Sequence, residues 1–391
     1  MSDTNHCIGA GRRICLCPGG IGGGGVGVVM LNLAEELLAR NVKVDLLIAA
    51  RDGVARNVPA GVNVIDLGPR VRTALGRAVS YLSQARPDVV ISARSYVNLL
   101  MLAAHRLAPG RANRRLIWSY HTHRSAEMAR ARPALRLIDG LALRLAAWPE
   151  ARVAVSVGVA ADLRVALGQN AAQAPITVIP NPGWTLTRAA QVFAACPHPW
   201  LADRAPRLLR GGALSPEPVL IGMGRFAPQK DFPTLLRAFA ELRRDHPAVR
   251  LILLGEGPDR AALTKLCAEL GLRLDQDIAL PGHVEQPMAW LSRADTFVHS
   301  ALWEGFSMVL VEALGAGLPI VATNCPSGPD EILDHGRFGW LVPPDDSAAL
   351  SRAMAEALVR VVDPVVQAAA AERFSASLAA TRYLHLGFPT P

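Results

Sequence analysis

Short apolar runs alternate with amphipathic stretches from Arg13 to Pro180, break off, and resume at Val219. This rhythm constrains the fold more than any composition figure. Runs that short and that apolar read as strands buried on both faces, and the helices between them return the chain for parallel pairing. The first series predicts strands at Arg13–Cys17, Lys43–Ala49, Val62–Asp66, Asp88–Ser92, Arg114–Tyr120, Arg152–Ser156 and Ile176–Pro180, with helices such as Val26–Arg40 and Ser95–Leu107. The second predicts strands at Val219–Met223, Val249–Leu254, Asp277–Leu280, Thr296–Ser300, Pro319–Thr323 and Trp340–Val342, with helices at Pro233–Asp245, Asp259–Leu270 and Ser307–Gly315. The expected architecture is α/β, two doubly wound, Rossmann-like parallel-sheet domains facing a central cleft, the natural ligand site.

The expected boundaries follow the rhythm. Residues 1–182 form the first domain and 218–371 the second; a helical tail at 372–391 is expected to pack back on the first. Residues 183–217 contain Pro197, Pro199, Pro206, Pro216 and Gly211-Gly212, and read as an interdomain linker with a short helix near Arg188–Ala195. At 391 residues, 51% hydrophobic and 19% charged, the chain can bury two cores, and wholesale disorder is excluded. The charge is uneven. Residues 1–205 hold 24 basic and 12 acidic side chains, whereas 206–391 hold 17 and 21. The basic first half implies an anionic partner.

The six cysteines show no metal-ligand spacing and read as free thiols in a reducing compartment. Cys15 and Cys17 are expected on opposite faces of a strand. The apolar run after Arg12-Arg13 breaks at once into glycine, so no signal peptide is expected. The most apolar stretch, Ala134–Trp148, is interrupted by Arg136, Asp139 and Arg144, so no spanning helix is expected.

Three local patterns carry chemistry. The run Gly19-Gly20-Ile21-Gly22-Gly23-Gly24-Gly25-Val26-Gly27 follows a strand and opens a helix, which suits close approach of backbone N–H groups to an anion. It also satisfies G-x-G-x-x-G at Gly20, Gly22 and Gly25, with Asp52 after the next strand, and so sustains a second reading as an NAD(P)-dependent oxidoreductase. The run Gly224-Arg225-Phe226-Ala227-Pro228-Gln229-Lys230-Asp231 follows the first strand of the second domain. There Arg225 offers a planar fork and Lys230, one of only three lysines, a point charge, a pair suited to a diphosphate. Finally, Glu304 and Glu312 stand eight apart around the start of an apolar helix, where a buried carboxylate needs a partner; sugar or ribose hydroxyls would serve.

Gly224-Arg225 with Lys230-Asp231, Leu254-Gly255-Glu256-Gly257-Pro258, Glu304 through Glu312, and Pro326-Ser327-Gly328-Pro329-Asp330-Glu331-Ile332-Leu333, in this order, resemble the retaining glycosyltransferases of family 4, which have the GT-B fold. The Pro-Ser-Gly-Pro stretch resembles the branch that adds hexose or N-acetylhexosamine to lipopolysaccharide cores and surface polysaccharides. The resemblance is densest over residues 219–345 and rests in the first domain on the glycine loop, His121 and Pro180-Asn181.

The resemblance implies a nucleotide-sugar donor, by default a UDP-sugar, on the second domain and a glycan or lipid-linked acceptor on the first. Arg225 and Lys230 match the pair holding the diphosphate, Glu304 the acid that contacts the donor sugar, and Glu312 the ribose-binding acid. Gly255, the backbone of Phe306, Ser307 and Met308, and Val284 near the base match donor contacts. Gly22 and Gly23 would approach the diphosphate from the other side of the cleft. His121 matches a histidine near the reacting centre, with His123 as the alternative. Phe226 stands where the family more often has leucine. No metal and no other cofactor is expected; Arg225, Lys230 and helix N-termini would neutralise the leaving group. No nucleic-acid partner is implied. A non-catalytic nucleotide-sugar binder on the same fold is a further alternative.

A last expectation concerns location. Arg111, Arg114, Arg115, Arg124, Arg130, Arg132, Arg136 and Arg144 surround an apolar helical stretch whose positions 134, 137, 138, 141 and 145 share one face. This predicts a cytoplasmic protein resting peripherally on an anionic inner membrane surface.

Overall fold

In the computed structural model, residues 8–22, 24–49, 58–68, 73–212 and 215–389 are described. They divide into two units, residues 1–182 with 376–391, and 183–375.

The first unit is built on seven parallel strands: β1 (Arg13–Gly19), β2 (Lys43–Ile48), β3 (Asn63–Asp66), β4 (Val89–Ala93), β5 (Arg115–Tyr120), β6 (Ala151–Ala154) and β7 (Ile176–Val178), in the order β3-β2-β1-β4-β5-β6-β7. β4 and β6 are buried along their whole length, as strands covered by helices on both faces must be. The two faces belong to different cores. Ile14 and Leu16 join Leu33, Leu37 and Ile91. Cys15 and Cys17 join Leu47, Val90 and Trp118. The expectation that these cysteines face opposite ways was therefore wrong, because residues two apart on a strand share a face. Both thiols are free, and burial raises their pKa values, that of Cys17 to about 12.

The terminal helix Ala376–Gly387 belongs to this unit. Tyr383 Oη lies 3.1 Å from Ser119 Oγ, and the Arg40 guanidinium donates to Ser377 O and Thr381 Oγ1, each at 2.8 Å. The division at residue 376 falls slightly later than the expected start of the tail at 372.

The second unit has six parallel strands: β8 (Val219–Met223), β9 (Arg250–Leu254), β10 (Ile278–Gly282), β11 (Thr296–His299), β12 (Ile320–Thr323) and β13 (Trp340–Val342), ordered β10-β9-β8-β11-β12-β13. Both sheets thus run outward from their first strand, step back across it, and run out the other way. The step lies between β1 and β4 in one unit and between β8 and β11 in the other.

Residues 183–217 are not a free linker; they belong to the second unit. Their prolines end helices but do not loosen the chain, because arginines tie the segment down. Arg204 and Arg210 reach Asp295, fully buried at the start of β11, at 2.7 and 2.9 Å. Arg207 is itself fully buried and donates to the carbonyls of Gly317 and Gly212. The short helix there spans Leu186–Gln191, earlier than expected, and is capped by Thr185 Oγ1.

Candidate functional site

The step between β8 and β11 leaves a crevice beyond the strand ends, where ligands of such sheets bind. The loop after β8 carries Arg225 and Lys230, and the loop after β11 carries Glu304. The loops are bonded to one another: Ser300 Oγ donates to Lys230 O at 2.7 Å, Leu302 N to Gln229 O at 2.9 Å, and Gln229 Nε2 to Trp303 O at 2.8 Å. Across this frame Lys230 Nζ pairs with Glu304 Oε1. Gly224 leaves room for the lysine stem; a Cβ there would stand 3.1 Å from Lys230 Cε. Burial alone would raise the Glu304 carboxyl, but the Lys230 charge and the His299 hydrogen bond outweigh it and hold the group down to about 2. Glu304 is therefore a fixed anion. Arg225 is exposed and makes no ion pair among the described residues.

Glycine lets the neighbouring loops close on this frame. Gly255 has φ +139°, and a Cβ there would fall 1.9 Å from Gly224 O; one at Gly257 would fall 2.2 Å from Phe226 O. No side chain fits, so backbone meets backbone, with Phe226 N donating to Glu256 O at 2.9 Å. Phe226 is fully buried edge-on to Phe232, which explains how an aromatic ring is accommodated there. Phe306 and Ser307 are buried just before the helix Met308–Gly315, whose N-cap is Ser307. Val284 is half-buried beyond the end of β10. Glu312 does not stand alone: Arg188, from the expected linker, pairs with its Oε1 at 2.6 Å. That partner is remote in the chain, and nothing beside Glu312 marks it.

The first unit repeats the geometry with different groups. The glycine loop follows β1 and leads into the helix Gly25–Ala39; Gly22 is half-buried, and Gly23 and Asp52 lie outside the described residues. Gly27, not Gly25, is the residue held by packing, since a Cβ there would meet Ile21 Cα at 3.0 Å. Beyond β4, Arg94 adopts φ +75°, a costly conformation for a residue with a side chain, and starts the helix Ser95–Leu107. His121 follows β5. Burial, and then the Arg94 charge, lower its imidazole to about 4, so it is neutral near pH 7, able to accept a hydrogen bond but a weak base. His123 instead ends the loop as N-cap of the helix Arg124–Arg130, 3.7 Å from Asp162. The sequence reading overlooked Arg94, Arg188 and His299.

Two family models match the chain: glycosyltransferase family 4 over residues 23–182 and glycosyl transferases group 1 over 210–360. An exopolysaccharide phosphotransferase of Streptomyces coelicolor is 34% identical over 182 residues, 45% of this chain and 19% of that protein. A lipopolysaccharide core biosynthesis glycosyltransferase of Rhizobium meliloti is 34% identical over 137 residues, 35% of this chain and 38% of its own. The matched stretches thus span from a fifth to two fifths of these relatives' length. Among solved structures, Anabaena HepE in complex with UDP superposes with a TM-score of 0.71 at 20% identity, covering 95% of this chain and 98% of that one. Both family models are glycosyltransferase models, which leaves the oxidoreductase reading without support.

Proposed function

The chain belongs to the glycosyltransferases of the GT-B fold, and from that premise we propose that it transfers a sugar, with retention, from a UDP-sugar to a glycan or lipid-linked acceptor of bacterial surface polysaccharide. The single observation that carries this reading is the Lys230–Glu304 pair at the β8/β11 step, with Arg225 beside it in the same loop. A cation for the diphosphate and an anion for the sugar are held together in advance, so neither needs to reorganise when charge develops. UDP bound to HepE and the lipopolysaccharide role of the Rhizobium relative support the donor and acceptor classes.

In this reading Arg225 and Lys230 take the diphosphate and steady it as it leaves. Glu304 contacts the sugar, backbone groups of Phe306, Ser307 and Met308 lie against sugar and phosphate, Gly255 admits the diphosphate, and Val284 edges the base. Glu312 takes the ribose, with Arg188 holding the carboxylate in place. On the first unit, His121 is the residue that would serve the acceptor. The acceptor oxygen bonds to the anomeric carbon on the face from which the diphosphate departs, and the acceptor proton passes to the leaving phosphate. A thermal-shift screen of nucleotide sugars tests the donor class: UDP and at least one UDP-sugar should raise the melting temperature, and that UDP-sugar should release UDP once acceptor is added. Stabilisation by nicotinamide cofactors alone would overturn it, and binding without release would favour a non-catalytic binder.

We also propose that the reaction needs no metal. Arg225 and Lys230 supply positive charge where a cation would otherwise sit, and among the described residues no three His, Cys, Asp or Glu side chains gather to hold one. Turnover should survive EDTA nearly unchanged; an absolute requirement for magnesium or manganese sinks this part of the reading.

The surface of the first unit supports a peripheral place on an anionic membrane. No helix of the described residues is long and apolar enough to cross a bilayer. In the helix Pro133–Arg144, however, Leu137 is 76% and Leu141 47% exposed, while Asp139 and Ala142 are buried beneath. The apolar stripe thus faces outward, flanked by exposed Arg130, Arg132, Arg136 and Arg144. Arg114 is not part of this surface; it is buried and donates to Leu82 O and His105 Nδ1. Each basic residue near an anionic surface contributes about 1 kcal/mol, and salt screens it. Co-sedimentation should require anionic vesicles, weaken in about 0.5 M salt, and fall when Arg130, Arg132 and Arg144 become glutamate. Arg136 is spared because it donates to the carbonyls of Met128 and Ala129. Equal binding to neutral and anionic vesicles, or to neither, removes the electrostatic argument.

A further inference from the structure

The last residue of β11 is a buried imidazole that the reading above leaves without a role. His299 is 3% exposed. Its Nε2 lies 3.2 Å from Glu304 Oε1 and 3.1 Å from Ser307 Oγ, and its Nδ1 makes no hydrogen bond among the described residues. Lys230 Nζ reaches the same Glu304 oxygen. Two donors, one from the loop after β8 and one from the end of β11, therefore converge on Oε1, while Oε2 receives no hydrogen bond among the described residues. The backbone holds the residue from the other side, with Glu304 N donating to Pro326 O at 3.1 Å.

The chemistry selects one tautomer. An ionised carboxylate only accepts, so a contact at 3.2 Å requires the proton on Nε2. Burial lowers the imidazole's pKa, so the ring carries that single proton and leaves Nδ1 as a bare lone pair. In the other tautomer Nε2 would turn a lone pair on the carboxylate, and Nδ1–H would be buried without an acceptor.

We propose that His299 is a positioning residue: as the neutral Nε2–H tautomer it fixes Glu304 with Oε1 turned to Lys230 and Oε2 left free for the donor sugar. The proposal rests on the glycosyltransferase reading for its consequence, but its geometry is independent of any ligand. A residue that merely filled the core at this place could be leucine. One that positions a carboxylate must offer a donor at the Nε2 point, which glutamine can do and leucine cannot.

Two measurements test it. The first needs no turnover. In protein labelled with nitrogen-15 at histidine, the His299 ring, assigned by its loss in His299→Gln, should show the neutral Nε2–H pattern at neutral pH and shift in Glu304→Gln. An Nδ1–H ring, or a signal indifferent to Glu304→Gln, overturns the proposal. The second uses UDP in calorimetry and UDP release from whichever UDP-sugar supports wild-type turnover. His299→Leu should lower kcat at least about tenfold, as expected for loss of a hydrogen bond to a charged group. UDP affinity should barely change, and His299→Gln should recover most of kcat. Full turnover in His299→Leu, or equal losses in both variants with equal falls in melting temperature, assigns His299 a structural role only. If the wild type neither binds UDP nor turns over any UDP-sugar, the donor reading fails, and the ring spectrum alone decides the positioning claim.

Discussion

Lys230→Ala should cut turnover by roughly a hundredfold or more, the scale seen when one preorganised electrostatic contact to a developing charge is removed. Two losses combine. The leaving diphosphate loses a point charge, and Glu304, buried at 6% exposure, loses the cation that keeps it ionised. Arg225→Ala should cost at least about tenfold, the scale of one charged hydrogen bond. The loss is smaller because Arg225 is exposed and supports no buried partner. Steady-state UDP release, with circular dichroism to confirm folding, measures both; near-normal turnover in the two variants would remove the diphosphate assignment. Acid stability gives an independent readout. The Glu304 carboxyl is held at about 2, below its ordinary 4.5, so its pairing stabilises the fold fully above the ordinary value and is lost as pH falls toward 2. In Lys230→Ala this contribution should shrink, because the buried carboxyl then keeps only the His299 hydrogen bond and takes up a proton more readily.

What the sequence revealed follows from which interactions are local. Val219–Met223 and Trp340–Val342 were both predicted to the residue; the first is buried along nearly all its length, and such a strand writes itself as an uninterrupted apolar run. The spacing of Glu304 and Glu312 was legible for the same reason, since charge inside an apolar helix start stands out. Their partners were not. Lys230 and Arg188 meet these carboxylates only because the sheet brings distant loops together, and nothing in the neighbouring residues marks a basic side chain as a carboxylate's partner. His299 was hidden more deeply: at the end of an apolar strand a histidine reads as one more strand residue. The cysteine error was of another kind, a period-two pattern misapplied to Cys15 and Cys17.

The supposed linker failed for a reason that itself makes a prediction. Proline and glycine report that regular structure ends; they say nothing of whether the segment is anchored. Here the anchor is Asp295, fully buried, accepting from Arg204 Nη1 at 2.7 Å, Arg210 Nη1 at 2.9 Å and Val219 N at 2.8 Å. The carboxylate thus joins the 204–210 segment to the first residue of β8, while its own backbone N–H donates to Val219 O at 2.9 Å. Asp295→Ala leaves two guanidinium groups beside a void and one strand amide without its side-chain acceptor. Breaking a buried pair on one side costs about 3–5 kcal/mol, or roughly 10 °C in melting temperature for a unit of this size. Arg204→Met and Arg210→Met should each cost less, because each leaves Asp295 one guanidinium and the amide. The double variant should approach Asp295→Ala, so the two arginine effects are coupled through the shared carboxylate. Thermal and urea unfolding decide this, and a loss below about 1 kcal/mol for Asp295→Ala would show that the cluster is solvated and incidental. The same substitution should reach the site. Asp295 ties the starting ends of β8 and β11, which pair through Thr296 with Leu220 and Phe297 with Ile221, and the loops from their other ends carry Lys230 and Glu304. Asp295→Ala should therefore weaken UDP binding well below its unfolding temperature, whereas Arg204→Met, which leaves the amide contact at Val219 in place, should not.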